Sequence, residues 1–185
     1  MKDKLALFDL DGTLFNTCRV NHSAYQYALS KYGVTIDYDD FCKNLNGRHY
    51  RVFLPKMLGG DEHVEEVHDI KVAKYKDFLH DAVINKSLFS MIDCMKDEFH
   101  IAIVSTAAYD NCYQILDHFG VRDKFELILT QRDVEKKKPD PEGFLKAMEY
   151  FGIGPENTII FEDSEVGVEA ARRAGCVTYV VKGYA

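Results

Sequence analysis

Two acids two residues apart, Asp9 and Asp11, follow the short apolar run Leu5–Phe8. Side chains at that spacing on extended backbone point the same way, so both carboxylates project into one small volume. Like charges held that close repel, and they persist only with a compensating cation or a shared proton. A hard divalent cation with oxygen ligands meets this need, and magnesium is the usual choice where a phosphate group supplies further oxygens. In that setting Asp9 is a candidate carboxylate nucleophile toward phosphorus. Asp11 is a candidate proton donor to the leaving group and a base for water afterwards. Taken alone, Asp11-Gly12 also reads as an acidic turn.

Three more places carry residues of the right type. Ser105 and Thr106 follow Ile101-Ala102-Ile103-Val104, Lys138 precedes Pro139, and Glu162-Asp163 follows Thr158-Ile159-Ile160-Phe161. Each has an ordinary reading as well. Ser105 is a good helix N-cap, Lys136-Lys137-Lys138 reads as a solvated run, and Glu162-Asp163 reads as a helix start favoured by the dipole. Pro139 singles out the last lysine, because the residue before proline is biased to extended backbone.

The elements that must position these residues alternate. Leu88, Met91, Ile92 and Met95 have helix spacing, and Ile101–Val104 is a buried strand. Cys112, Ile115, Leu116 and Phe119 form a second helix face, which Gly120 ends. Leu127–Leu129 reads as a strand, and a helix starts near Pro141 with Phe144, Leu145, Met148 and Phe151 on one face. Thr158–Phe161 is a strand, Glu165–Ala174 a helix stopped by Gly175, and Val177–Val181 a last strand. With Leu5–Phe8 added, this predicts an α/β fold: a parallel sheet with helices on both faces. Ligands of such sheets sit beyond the carboxyl ends of the strands, where Asp9, Ser105, Lys138 and Asp163 all fall. Residues 16–82 break the alternation and read as helices only, for example Asn21 to Tyr32 ending at Gly33 and a later one carrying Tyr75, Phe78 and Leu79, with Pro55 and Gly59-Gly60 as interruptions between them. The expected organisation is a core of residues 1–15 and 83–185 with a helical insert at 16–82.

The string FDLDGTLFNT resembles the first motif of the haloacid dehalogenase superfamily. Ser105 matches the second motif, Lys138 in KKPDPEGF the third, and FEDSEVG the fourth, in order and over nearly the whole chain. The resemblance implies a Rossmann-like core and a phosphoaspartate formed on Asp9 with magnesium as cofactor. It implies that Asp9, Asp11, Glu162 and Asp163 make the metal site, that Asp11 handles protons, and that Lys138 neutralises charge. Ser105, Thr106 and Lys138 would hold the phosphoryl group. The helical insert looks like the cap of the β-phosphoglucomutase and phosphoglycolate phosphatase-like subfamily. It offers Asn21, His22 and Arg48 as candidates for substrate contact, with His49 and Arg51 beside them. Arg48 is favoured because it follows Gly47 in a loop.

The activity so implied is magnesium-dependent hydrolysis of a small phosphorylated metabolite, of sugar phosphate or phosphoglycolate type. A β-phosphoglucomutase-like phosphomutase is the alternative, but mutases carry a histidine where this chain has Asn21, with His22 one place on. A metal-independent dehalogenase lacks the second acid that Asp11 supplies. A catalytically inactive binding protein would have lost a charged motif residue, and none is missing. Asn16 departs from the pattern, standing where many relatives have another Asp. The chain also stops soon after its last strand, where relatives add a further helical stretch.

Bulk properties set the remaining limits. An apolar fraction of 46% with 29% charged residues is that of a globular protein. A net charge of -7 argues against nucleic acid, whose phosphate backbone needs a basic surface. The charged start of the chain reads as neither a signal peptide nor a membrane span. The five cysteines, Cys18, Cys42, Cys94, Cys112 and Cys176, form no CxxC pair. The spacing favours reduced thiols in a cytoplasm over a zinc site or disulfides.

Overall fold

Leu5, Leu7 and Phe8 are apolar on both faces of the first strand, the pattern of a strand buried in the middle of a parallel sheet. A computed structural model, describing residues 2–183, places it there. Contacts divide the chain into two units, Met1–Asn16 with Val83–Ala185, and Thr17–Ala82. The first unit begins with β1 (Lys4–Phe8) and β2 (Phe15–Asn16). The second holds α1 (Cys18–Ser30), α2 (Tyr38–Asp40), a π-helical turn at Phe41–Leu45, α3 (Tyr50–Leu58), α4 (Val64–Lys74) and a 3-10 helix at Tyr75–Asp81. The first unit resumes with β3 (Val83–Ile84), α5 (Lys86–Met95), β4 (Phe99–Val104), α6 (Tyr109–His118) and β5 (Leu127–Leu129). It closes with α7 (Glu142–Phe151), β6 (Thr158–Glu162), α8 (Glu165–Arg173) and β7 (Val177–Val180).

Five strands form one parallel sheet in the order β5-β4-β1-β6-β7. One face of it packs Leu5, Leu7, Ala102, Val104 and Ile160 against Phe144, Ala147 and Met148 of α7 and against Ala170 and Ala171 of α8. The small residues of α8 let that helix approach the sheet closely. On the other face the rings of Phe8 and Phe161 stack at 4.5 Å. The α/β reading therefore holds.

Every regular element of the second unit is helical, with turns and loops between them. Its core joins Tyr25, Ala28 and Leu29 of α1 to Phe41, Phe53, Leu54, Val64 and Val67. Lys71 is buried beside them, with its ammonium 5.3 Å and 4.8 Å from the ring centres of Tyr25 and Tyr75.

Four expectations need correction. Pro55 lies inside α3 and does not interrupt it, at the cost of one backbone hydrogen bond. The helix ends instead at Gly59, whose φ of 74° is left-handed. The segment carrying Tyr75, Phe78 and Leu79 is a 3-10 helix. Two short strands went unforeseen: β2 and β3 pair antiparallel, Phe15 with Ile84 and Asn16 with Val83. Two residues are too short a run to show periodicity. Finally, Cys18 and Cys42 form a disulfide with their Cα atoms 5.9 Å apart, against the expectation of free thiols. The sequence separation of 24 is no barrier, because packing of α1 against the turn at Phe41 brings the two together. Among the described residues Cys94, Cys112 and Cys176 are free.

Candidate active site

Because β1 lies between β4 and β6, whatever follows these three strands converges at one edge of the sheet. Phe8 pairs with Ile103 on one side and with Phe161 on the other. The backbone N–H of Asp9 donates to the Phe161 carbonyl at 3.0 Å, which fixes the first acid beside Glu162 and Asp163. Ser105 is held from the opposite side, its N–H donating to the Leu129 carbonyl.

Lys138 reaches this edge from 129 residues further along the chain than Asp9. Its ammonium donates to Asp9 Oδ1 at 2.6 Å, to Glu162 Oε1 at 2.5 Å and to the Val104 carbonyl at 3.0 Å. An ammonium has three donors, and all three are engaged. Burial by itself would strip the charge from this lysine, but the Asp9 and Glu162 carboxylates more than offset that and hold its pKa above the ordinary value. Lys138 is therefore a fixed cation and not a member of a solvated run. Its peptide bond to Pro139 is cis.

Glu162 is fully buried. While Oε1 meets Lys138, Oε2 accepts from the N–H and hydroxyl of Ser164, each at 2.9 Å. Ser164 in turn caps α8 by accepting from the Gly167 N–H. A Cβ at position 167 would sit on the Glu162 carboxylate, so the first turn of α8 needs glycine there. Asp163 is held differently: the Thr13 hydroxyl donates to its Oδ1 at 2.8 Å. Gly12 has φ 92°, and a Cβ there would overlap Asp163.

Asp9, Glu162 and Asp163 offer carboxylate oxygens within 4.8 Å of one another. Three carboxylates against one lysine leave a charge excess. Burial, the largest cause, lifts Asp9 well above the usual carboxylate range; Lys138 opposes the shift and the two neighbouring acids add to it. Burial also pushes Asp163 up to about 6, against the Thr13 hydrogen bond. An all-oxygen set with excess negative charge fits a hard divalent cation. With both oxygens of Glu162 bonded to Lys138 and Ser164, Asp9 and Asp163 are the better-placed ligands. Asp11 is not part of this cluster.

Ser105 is buried, and its Oγ accepts from the Ala107 N–H at 3.0 Å. Ala108, not Ser105, occupies the N-cap position of α6, which removes the capping explanation. Thr106 beside it is exposed. Ser105, Thr106 and Lys138 line one cavity with Thr130, Lys137 and Asp140.

A family model described as haloacid dehalogenase-like hydrolase matches residues 6–181. The chain belongs to that family. This hydrolase is 31% identical over 180 residues to the phosphoglycolate phosphatase of Aquifex aeolicus, covering 95% of this chain and 83% of the relative. It is 28% identical over 178 residues to the validoxylamine A 7'-phosphate phosphatase of Streptomyces hygroscopicus subsp. limoneus, covering 93% and 82%. CbbY from Rhodobacter sphaeroides, solved in complex with phosphate, matches with a TM-score of 0.86 at 23% identity, covering 100% of this chain and 88% of that one. At that identity the likeness shows the fold.

The second unit of the hydrolase separates its own candidates. The His22 ring donates through Nε2 to the Ile36 carbonyl at 3.0 Å and sits edge-on to Tyr38 and Phe41, which makes it a packing residue. Asn21 donates to the Thr17 hydroxyl at 3.2 Å and lies 3.5 Å from the Asn46 side-chain oxygen. Arg51 pairs with Glu65 at 2.8 Å on the surface. His49 stands before α3 with its ring against Tyr50. Arg48 is exposed, one residue past the left-handed turn at Gly47. Thr13 and Asn85 received no role from sequence. The signal for Thr13 was present in the DGT string; the position of Asn85 carried none. No helix among the described residues is long and apolar enough to cross a membrane.

Proposed function

We propose that this haloacid dehalogenase-like hydrolase is a magnesium-dependent phosphatase of small phosphorylated metabolites, with Asp9 as nucleophile. The observation that carries the reading is the Lys138 ammonium locked between Asp9 and Glu162 while Asp163 faces the same point. With Oδ1 held by Lys138, Asp9 Oδ2 attacks phosphorus. The new bond joins carboxylate and phosphoryl group as the ester P–O bond breaks, and Asp11 gives the departing oxygen its proton. Asp11 then takes a proton from the water that displaces Asp9 and releases inorganic phosphate. Ser105 and Thr106 hold phosphoryl oxygens, and Lys138 offsets the charge that builds on them. A bound magnesium ion, held by Asp9 and Asp163 with Glu162 and Asp11 beside them, would supply further charge neutralisation.

The names of the two relatives support a phosphate ester as substrate, and a sugar phosphate or phosphoglycolate type is the class proposed. Arg48 is the proposed contact from the second unit. Mutase chemistry is not favoured, since Asn21 stands in the histidine register and His22 is engaged in packing. A cytoplasmic location is part of the proposal and requires Cys18 and Cys42, bonded in the structure, to be reduced in the cell; alkylation in whole-cell extracts tests it, and a disulfide found there would overturn it. The decisive experiment measures p-nitrophenyl phosphate hydrolysis with magnesium, with EDTA, and with Asp9→Asn. Activity should vanish with EDTA and fall to no more than about a thousandth in the variant. Appreciable turnover by Asp9→Asn would rule out the nucleophile.

A further inference from the structure

Asn85 sits at the junction where β3 gives way to α5, in the same unit as the sheet. It is buried, 7% exposed, and each end of its amide is used. Oδ1 accepts from the Leu88 N–H at 3.2 Å and so caps α5. Nδ2 donates to the Thr13 carbonyl at 3.1 Å, across 72 residues of sequence. Its backbone N–H donates to the Leu14 carbonyl at 2.9 Å. The orientation of the amide is settled by its partners, since an N–H needs the oxygen and a carbonyl needs the nitrogen.

These bonds grip the loop that carries Asp11 and Thr13. Inside that loop Gly12 N–H donates to the Phe15 carbonyl, and Leu14 and Phe15 N–H both donate to the Leu10 carbonyl. Thr13 is fully buried and passes the constraint on, because its hydroxyl holds Asp163 Oδ1. One residue therefore separates the Asn85 amide from a carboxylate of the acidic cluster. A side chain that only accepts would cap α5 equally well but leave the Thr13 carbonyl without this donor. Only an amide of this length meets both partners at once.

We infer that Asn85 is a positioning residue for the cation site, acting through Thr13 to hold Asp163 in ligating geometry. This rests on the reading of the acidic cluster as a divalent metal site. Groups behind a metal ligand typically change affinity by about 10- to 100-fold when removed.

The test measures Mn2+ binding by electron paramagnetic resonance on the full chain, with thermal melting of each protein alongside. Asn85→Asp keeps the acceptor that caps α5 and loses the donor to Thr13; Asn85→Ser keeps a capping oxygen on a side chain too short to reach the Thr13 carbonyl as well, should the aspartate disturb folding. Each should weaken Mn2+ binding by about tenfold while melting well above the assay temperature, and raise the magnesium concentration for half-maximal activity to match. Thr13→Val should weaken binding similarly, and Thr13→Val combined with Asn85→Asp should be no worse than Thr13→Val alone, because both act on one carboxylate. Unchanged Mn2+ affinity in both Asn85 variants, or additive losses in the double variant, would overturn the inference and leave Asn85 as a helix cap only. Absence of Mn2+ binding by the wild type would instead remove the metal reading beneath it.

Discussion

Lys138 shows how much one side chain is asked to do at this site. Its three donors meet a carboxylate proposed to attack, a carboxylate that is fully buried, and a strand-end carbonyl. Glu162 makes that arrangement rigid, because its second oxygen is tied to Ser164 and through it to α8. The weak point is Gly167, where any side chain collides with the Glu162 carboxylate. Gly167→Ala should displace Glu162, loosen Lys138 and lower kcat by roughly tenfold or more, with a reduced Tm. Steady-state kinetics and melting check it; wild-type turnover would show that Glu162 does not position the lysine.

Among the elements, the loop before α7 has to deliver Lys138, and α7 itself holds that loop. Glu142 in its first turn accepts from the N–H groups of Glu135 at 2.9 Å and Lys136 at 2.7 Å. Its pair with Lys146, then those two N–H groups, lower the Glu142 pKa to about 2. A depressed carboxylate stabilises the fold fully above its unfolded pKa, and that contribution is lost as pH falls through the folded value. The window here runs from about 4.5 down to about 2. Glu142→Gln should therefore flatten the acid limb of the Tm–pH curve in that window; an acid limb identical to the wild type would exclude the clamp. The Cys18–Cys42 bond acts within the other unit by restricting its unfolded chain. For a separation of 24 residues the loop-closure model gives roughly 3 kcal/mol. Cys18→Ser should lower the melting temperature of oxidised protein by several degrees, and addition of a thiol reductant should bring the wild type to the same value. A reductant-insensitive Tm would show that the bond contributes nothing.

At the scale of the whole molecule, labour is divided between two units with separate cores. The sheet unit carries every residue proposed for the chemistry, and the helical unit carries the proposed specificity. Replacement of Arg48 should then separate the two. Arg48→Ala should raise KM for a sugar phosphate by about tenfold, the worth of one charge-assisted hydrogen bond, and leave p-nitrophenyl phosphate turnover unchanged. An equal effect on both substrates would place Arg48 outside selectivity.

Much of this was legible before any coordinates. Asp9, Ser105 and the pair Glu162-Asp163 each end a short apolar strand, and a strand end is a local signal read from a handful of residues. Parallel order followed from the alternation of strands and helices, but the central place of β1 in the order came only with the structure. Other features are products of packing between distant segments. That Lys138 is a buried ion-pair partner, that Glu162 holds a lysine, that Thr13 and Asn85 stand behind Asp163, and that Cys18 meets Cys42 all depend on contacts 24 to 150 residues apart. Residue type and spacing along one chain determine which groups are present at the strand ends. Which of them touch is decided by how the helices seat on the sheet and on one another, since hydrogen bonds and ion pairs act only over a few ångströms.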